Sequence, residues 1–179
     1  NVAHNLAAID CRVTILGVIG RDENGKTVEA ELDRIGINKS GLFTDPKRPT
    51  TTKTRVMAAN QQVVRIDHEI TDAIPEQIEN QILEYLKNNI LNFAAVIISD
   101  YQKGVLTDNV ISHALKLGKQ NNVKTVVDPK RNDFSVYSGA SIIKPNLKEA
   151  EAAVNKKLKT DKDILDAGKS ILENCGCEA

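Results

Sequence analysis

With 179 residues, 41% of them hydrophobic, the chain is long enough to bury one sizeable core as one main domain with at most a small appendage. Lys plus Arg and Asp plus Glu number 24 each, so no global field favours nucleic acid or an anionic membrane surface, and any bound anion must be held locally. No apolar run approaches the roughly 20 residues of a bilayer span and no signal peptide opens the chain, which points to the cytoplasm.

From the N-terminus, Asn1 to Ile9 reads as a helix already under way. Val13 to Ile19 follows as a near-continuous β-branched run, and a helical pattern spans Lys26 to Ile35. Between them, Gly17, Gly20 and Gly25 satisfy neither G-x-G-x-x-G nor G-x-x-x-x-G-K-[ST], which disfavours a nicotinamide dehydrogenase or a P-loop kinase. With Asp22 they also suit a plain strand exit and helix start. Thr50 to Glu69 then holds two β-prone runs separated by Ala58, Ala59, Asn60 and Gln61, an antiparallel hairpin whose mixed faces suit a flap over a site. On it Lys53 and Arg55 point the same way, either as solvated edge charges or as arms reaching a substrate phosphate.

Pro75 to Leu91 is helical, with Ile78, Ile82, Tyr85 and Leu86 on one stripe. Strands follow at Ala94 to Ile98, Val123 to Val127 and Ala140 to Ile143, alternating with helices at Asn109 to Gln120 and Asp161 to Asn174. Near-continuous hydrophobicity marks strands buried on both faces, and the alternation predicts a doubly wound, mostly parallel α/β sheet. The odd trio Cys11, Cys175 and Cys177 reads as free thiols, and His4, His68 and His113 have no ligand spacing.

In such sheets ligands bind beyond the carboxyl ends of the strands, where three polar turns fall. Asp100 and Lys103 follow one strand, Asp128 and Lys130 the next, and Lys144 to Glu149 the third. Asp100 and Asp128 each have a structural alternative as turn residues. Lysines beside carboxylates suit a phosphorylated or polyhydroxylated ligand. Asn146 and Glu149 have the spacing of a capping box, which leaves open a further role for the carboxylate near Mg²⁺ and a nucleotide.

Taken together, Asn1-Val2-Ala3 with Asn5, the Gly17, Gly20, Asp22 and Gly25 run, and Asn146-Leu147-Lys148-Glu149 resemble the ribokinase-like sugar kinases of the PfkB family. Within it, the hairpin with its Asn-Gln-Gln tip and the Asp-Pro-Lys stretch are similar to heptose 7-phosphate kinases. Those are the kinase halves of bifunctional enzymes of ADP-heptose and lipopolysaccharide synthesis. The resemblance implies phosphoryl transfer from Mg²⁺-ATP to the anomeric hydroxyl of D-glycero-D-manno-heptose 7-phosphate. It implies that residues 1–179 are part of one kinase domain with 50–69 as its β lid, and that the complete protein is a homodimer.

By the same resemblance, Asn146, Leu147, Lys148 and Glu149 bind ATP, with Glu149 holding Mg²⁺ through water. Asn1, Lys53, Arg55, Asp100, Lys103 and Lys130 contact the sugar phosphate, and Lys130 offsets charge on the transferred group. The family's paired glycines before Asn1 and its Gly-Ala-Gly-Asp motif are missing. The chain therefore reads as a fragment whose general base lies beyond residue 179, inactive alone. A kinase for ribose or fructose phosphate, or a non-catalytic sugar- or nucleotide-binding module, remains as an alternative.

Overall fold

The computed structural model describes residues 1–59 and 61–179. The chain divides into two units, Asn1–Ile78 and Glu79–Ala179. The first begins with helix α1 (Val2–Ala8), strand β1 (Thr14–Gly20), helix α2 (Glu23–Arg34) and strand β2 (Asn38–Asp45). Parallel neighbours need a crossover, and α2 supplies it. β1 and β2 run parallel from Thr14 opposite Asn38 to Gly20 opposite Asp45, and α2 packs on both. The helix stops where Gly36 turns the chain with a φ of 71°, a left-handed conformation that glycine adopts without steric penalty. Ile37, 3% exposed, then enters the core before β2.

The expected hairpin follows. Strands β3 (Thr52–Ala58) and β4 (Gln61–His68) pair antiparallel, with Thr52 opposite His68 and Ala58 opposite Gln61. The register shifts between Val56 and Met57. Apart from Thr52, every residue of both strands is exposed. Asn60, the first residue of the Asn-Gln-Gln tip, lies outside the described residues.

Helix α3 (Glu76–Asn89) contains the boundary between the units and buries the anticipated stripe at Ile78, Ile82 and Leu86. The second unit continues through β5 (Ala95–Ser99), α4 (Asp108–Gln120), β6 (Lys124–Asp128), a 3₁₀ turn at Phe134–Tyr137, β7 (Ile142–Ile143), α5 (Leu147–Ala153) and α6 (Asp161–Cys175). Its three strands form one parallel sheet in the order β5-β6-β7.

α4 starts at Thr107, whose hydroxyl accepts the Val110 N–H at 3.1 Å, and it buries Val110, Ile111, Ala114 and Leu115. The three larger side chains, Val110, Ile111 and Leu115, each contribute about 1.5–3 kcal/mol of burial energy. Gly118 lets α4 lie close to β6, because a Cβ there would sit 2.5 Å from the Thr125 methyl. α6 packs on the 3₁₀ turn, where Phe134 and Tyr137 meet edge to face with centroids 5.9 Å apart. Among the described residues, no helix is long and apolar enough to cross a membrane.

Candidate functional site

Parallel pairing of β5, β6 and β7 places the three polar turns of the second unit on one sheet edge. The Asp100 N–H donates to the Asp128 carbonyl at 3.0 Å, and the Lys144 N–H to the Val127 carbonyl at 2.9 Å, so backbone bonds lace the three strand ends together. On this edge Lys144 Nζ lies 2.8 Å from an Asp128 carboxylate oxygen and Lys130 Nζ lies 3.9 Å from Glu149 Oε1. The bond to Asp128 holds the Lys144 pKa above its ordinary value. Ser99, at the end of β5 and opposite Asp128 in register, keeps its Oγ buried with no hydrogen-bond partner among the described residues.

Asn146 and Glu149 do form a capping box at the start of α5. Asn146 Oδ1 accepts the Glu149 N–H at 3.0 Å, and Glu149 Oε2 accepts the Asn146 N–H at 2.8 Å. One carboxylate oxygen is thus spent on the helix start while the other faces Lys130. Leu147 and Lys148 begin the helix in exposed positions.

Asp100, expected to contact the sugar, lies inside a hydrogen-bonded group in this structure. It is 4% exposed and its carboxylate is fully engaged. Oδ1 accepts the Gln102 N–H at 2.7 Å, and Oδ2 accepts Arg131 Nε at 3.1 Å and the Tyr137 hydroxyl at 2.8 Å. Arg131 also donates to the Leu106 carbonyl at 2.6 Å and pairs with Asp108, while the Tyr137 oxygen accepts the Lys130 N–H at 3.3 Å. Burial works against the Arg131 charge, but the bonds to Asp108 and Asp100 outweigh it and raise the pKa. The group braces the turn that carries Lys130. Lys103 is half-buried in the bend after β5, and the brace residues Arg131 and Tyr137 were not anticipated.

In the first unit, the glycine run surrounds Asp22. This carboxylate caps α2 through the Gly25 N–H at 2.8 Å and accepts the Thr50 N–H at 2.8 Å and its hydroxyl at 2.7 Å. Those bonds from Thr50, and then the one from Gly25, hold its pKa below the ordinary range. Thr50 in turn accepts the Gly20 N–H at 2.9 Å. A Cβ on Gly20 would lie 2.3 Å from the Arg48 carbonyl oxygen, and one on Gly25 2.5 Å from the Gly20 carbonyl oxygen. The glycines thus serve close backbone approach. Arg48, 8% exposed, donates to the carbonyls of Ile70 at 2.7 Å and Asp72 at 2.6 Å.

On the hairpin, Lys53 Nζ lies 2.9 Å from Asp67 and 3.3 Å from Glu69, and the bond to Asp67 chiefly raises its pKa. Arg55 is opposite Arg65 in register. Asn1 is exposed at the start of α1 without a side-chain capping bond.

Solved structures share this arrangement of strands and helices. Ribokinase of Arabidopsis thaliana, complexed with ribose and ATP, superposes with a TM-score of 0.72 at 15% identity, over 96% of this chain and 55% of its own. Phosphofructokinase-2 of Escherichia coli, in a tetrameric inhibited form, gives 0.72 at 17%, over 98% and 58%. The fold is therefore the ribokinase-like α/β fold.

A family model described as pfkB family carbohydrate kinase matches residues 1–177. The chain belongs to that family. It is 42% identical over 172 residues to a bifunctional protein HldE of Geobacter metallireducens, covering 96% of this chain and 35% of the relative. It is 44% identical over 175 residues to the HldE of Citrifermentans bemidjiense, covering 98% and 36%. The chain thus spans about a third of the length of the curated relatives it matches.

Proposed function

We propose that this chain is part of an ATP-dependent heptose 7-phosphate kinase, which transfers a phosphoryl group to the anomeric hydroxyl of D-glycero-D-manno-heptose 7-phosphate. The observation that carries the reading is the alternating cluster of Asp128, Lys130, Lys144 and Glu149 on one carboxyl edge of a parallel sheet. Such edges bind ligands in open α/β folds, and a mixed set of ammonium and carboxylate groups suits a nucleotide phosphate accompanied by a cation. Kinship with HldE proteins supports the choice within the carbohydrate kinases.

In this reading Asn146 to Glu149 contribute to the ATP site and Lys130 offsets charge on the transferred phosphoryl group. Asn1, Lys103 and Arg55 serve the sugar phosphate, Lys53 acts on it through the Asp67 that it shares with Arg65, and Asp100 acts through the turn that carries Lys130. The hydroxyl oxygen attacks the γ-phosphorus, ADP leaves, and an aspartate outside residues 1–179 accepts the hydroxyl proton. Phosphoryl transfer asks mainly for positioning and charge stabilisation, which such a set supplies.

Among the described residues, no three His, Cys, Asp or Glu side chains converge on a metal position. Glu149 has one oxygen not used by the cap, which fits a magnesium ion held largely by phosphates and water. Its contribution when bound is to neutralise the ATP phosphates.

The test is ADP release by the full-length protein with heptose 7-phosphate, ribose or fructose 6-phosphate, together with its Glu149→Gln variant. Turnover with the heptose alone, and a magnesium requirement that Glu149→Gln raises severalfold, are expected. Equal turnover with the other sugars would overturn the substrate, and an unchanged magnesium requirement would overturn the Glu149 role.

A further inference from the structure

The hairpin register sets two arginines directly across from each other. Arg55 faces Arg65, and residues opposite one another in an antiparallel pair project to the same side of the ribbon. Both are exposed, and like charges in that relation repel. Each has a different commitment. Arg65 uses only Nε, donating to Asp67 Oδ1 at 2.9 Å, which leaves both terminal nitrogens without a partner among the described residues. Arg55 has no hydrogen bond or ion pair among the described residues.

The next cross-strand pair on the same face is Lys53 with Asp67. There the ammonium already lies between two carboxylates, 2.9 Å from Asp67 and 3.3 Å from Glu69. Lys53 is therefore internally neutralised, and Asp67 also orients Arg65 from the other side through that Nε bond. Lys53, Arg55 and Arg65 share only Asp67 and Glu69 on this face, so a positive charge is left over, and the terminal nitrogens of the two guanidinium groups are what it offers to an anion. Guanidinium forks match the oxygens of a phosphate, and two of them across a ribbon can each donate a pair of hydrogen bonds to one phosphate.

We propose that Arg55 and Arg65 form a phosphate clamp on the hairpin, with Arg65 as an unanticipated specificity residue for a sugar carrying its own phosphate monoester. The inference rests on the sugar-kinase reading. The clamp selects phosphorylated over unphosphorylated sugar and leaves ATP binding alone. Bringing a dianion between the arginines removes the repulsion that the empty ribbon carries. Lys53 belongs to the scaffold that aims Arg65.

The experiment uses the full-length protein and its Arg55→Ala, Arg65→Ala, Arg65→Lys and doubly substituted variants. Each is assayed with heptose 7-phosphate, with the same heptose lacking the phosphate, and over a range of ATP. Arg65→Ala should raise KM for the phosphorylated sugar at least tenfold. Its kcat and its KM for ATP should stay within about twofold, and its preference for phosphorylated sugar should collapse by a similar factor. Arg65→Lys should recover part of the loss, and the double variant should lose less than the product of the two single losses.

Because the arginines repel in the absence of ligand, Arg65→Ala should not lower the Tm of the free protein, whereas a purely structural role would lower it. Equal losses on both sugars, an unchanged KM, or a fall in the free-protein Tm that accounts for lost activity would overturn the clamp while leaving the kinase standing. A folded wild-type protein that phosphorylates neither sugar would overturn the kinase reading and the clamp with it.

Discussion

At the scale of single residues, the Tyr137 hydroxyl decides how the turn after β6 is held. It is 0% exposed, donates to Asp100 and accepts from Lys130. Burial, and then the bond to Asp100, push its pKa up to about 12. As pH rises from about 10 towards 12, tyrosine ionises in the unfolded chain before it does in the folded one, so its contribution is complete below pH 10 and lost above. Tyr137→Phe removes only the hydroxyl and leaves Asp100 one donor short. A loss of about 1–3 kcal/mol in urea unfolding of the full-length protein is expected, as for other buried polar groups left unpaired. No loss would mean that Arg131 and the Gln102 N–H suffice for Asp100. The N-x-x-E spacing announced the capping box because that motif is local in sequence. The brace was not legible, since Tyr137 meets Asp100 across 37 positions and sits in a short 3₁₀ turn without periodicity.

At the scale of elements, the strands with continuous apolar runs were legible and β2 was not. Asn-Lys-Ser-Gly-Leu-Phe-Thr-Asp has no such run, and its extended form comes from pairing with β1, a tertiary contact invisible to local pattern. The hairpin was legible from β-propensity, but its fastening was not. Asp22 ties Thr50, two residues before β3, to the start of α2, and Arg48 binds the carbonyls of Ile70 and Asp72 after β4. Asp22→Ala should therefore speed hydrogen exchange of the Thr50 and Gly20 amides and lower the Tm. Protonation should act the same way. A carboxylate with a depressed folded pKa contributes stability above its unfolded value, near pH 4, and loses it as pH falls through the folded one. Thr50 amide exchange that is unaffected by the substitution would show that Arg48 alone secures the hairpin.

At the scale of the whole molecule, the hairpin's other face presents Val56, Val64 and Ile66 to solvent, at 43%, 45% and 57% exposure. Exposed apolar patches of this kind mark interaction surfaces, and the homodimer implied by the family resemblance would cover it with a second copy. If a second copy covers this face, Val64→Glu together with Ile66→Glu should lower the mass of the full-length protein in sedimentation velocity from dimer to monomer. A dimer that persists in the double variant would place the contact elsewhere. The hairpin's fastening at its base has a consequence for how such proteins diversify. Asp22, Thr50, Arg48 and the two crowded glycines are constrained, whereas the ribbon between them borrows almost nothing from the hydrophobic interior. Successive ancestors could rewrite the ribbon for a new sugar or a new subunit contact without renegotiating the fold, so lineages should diverge fastest there and slowest at its footing.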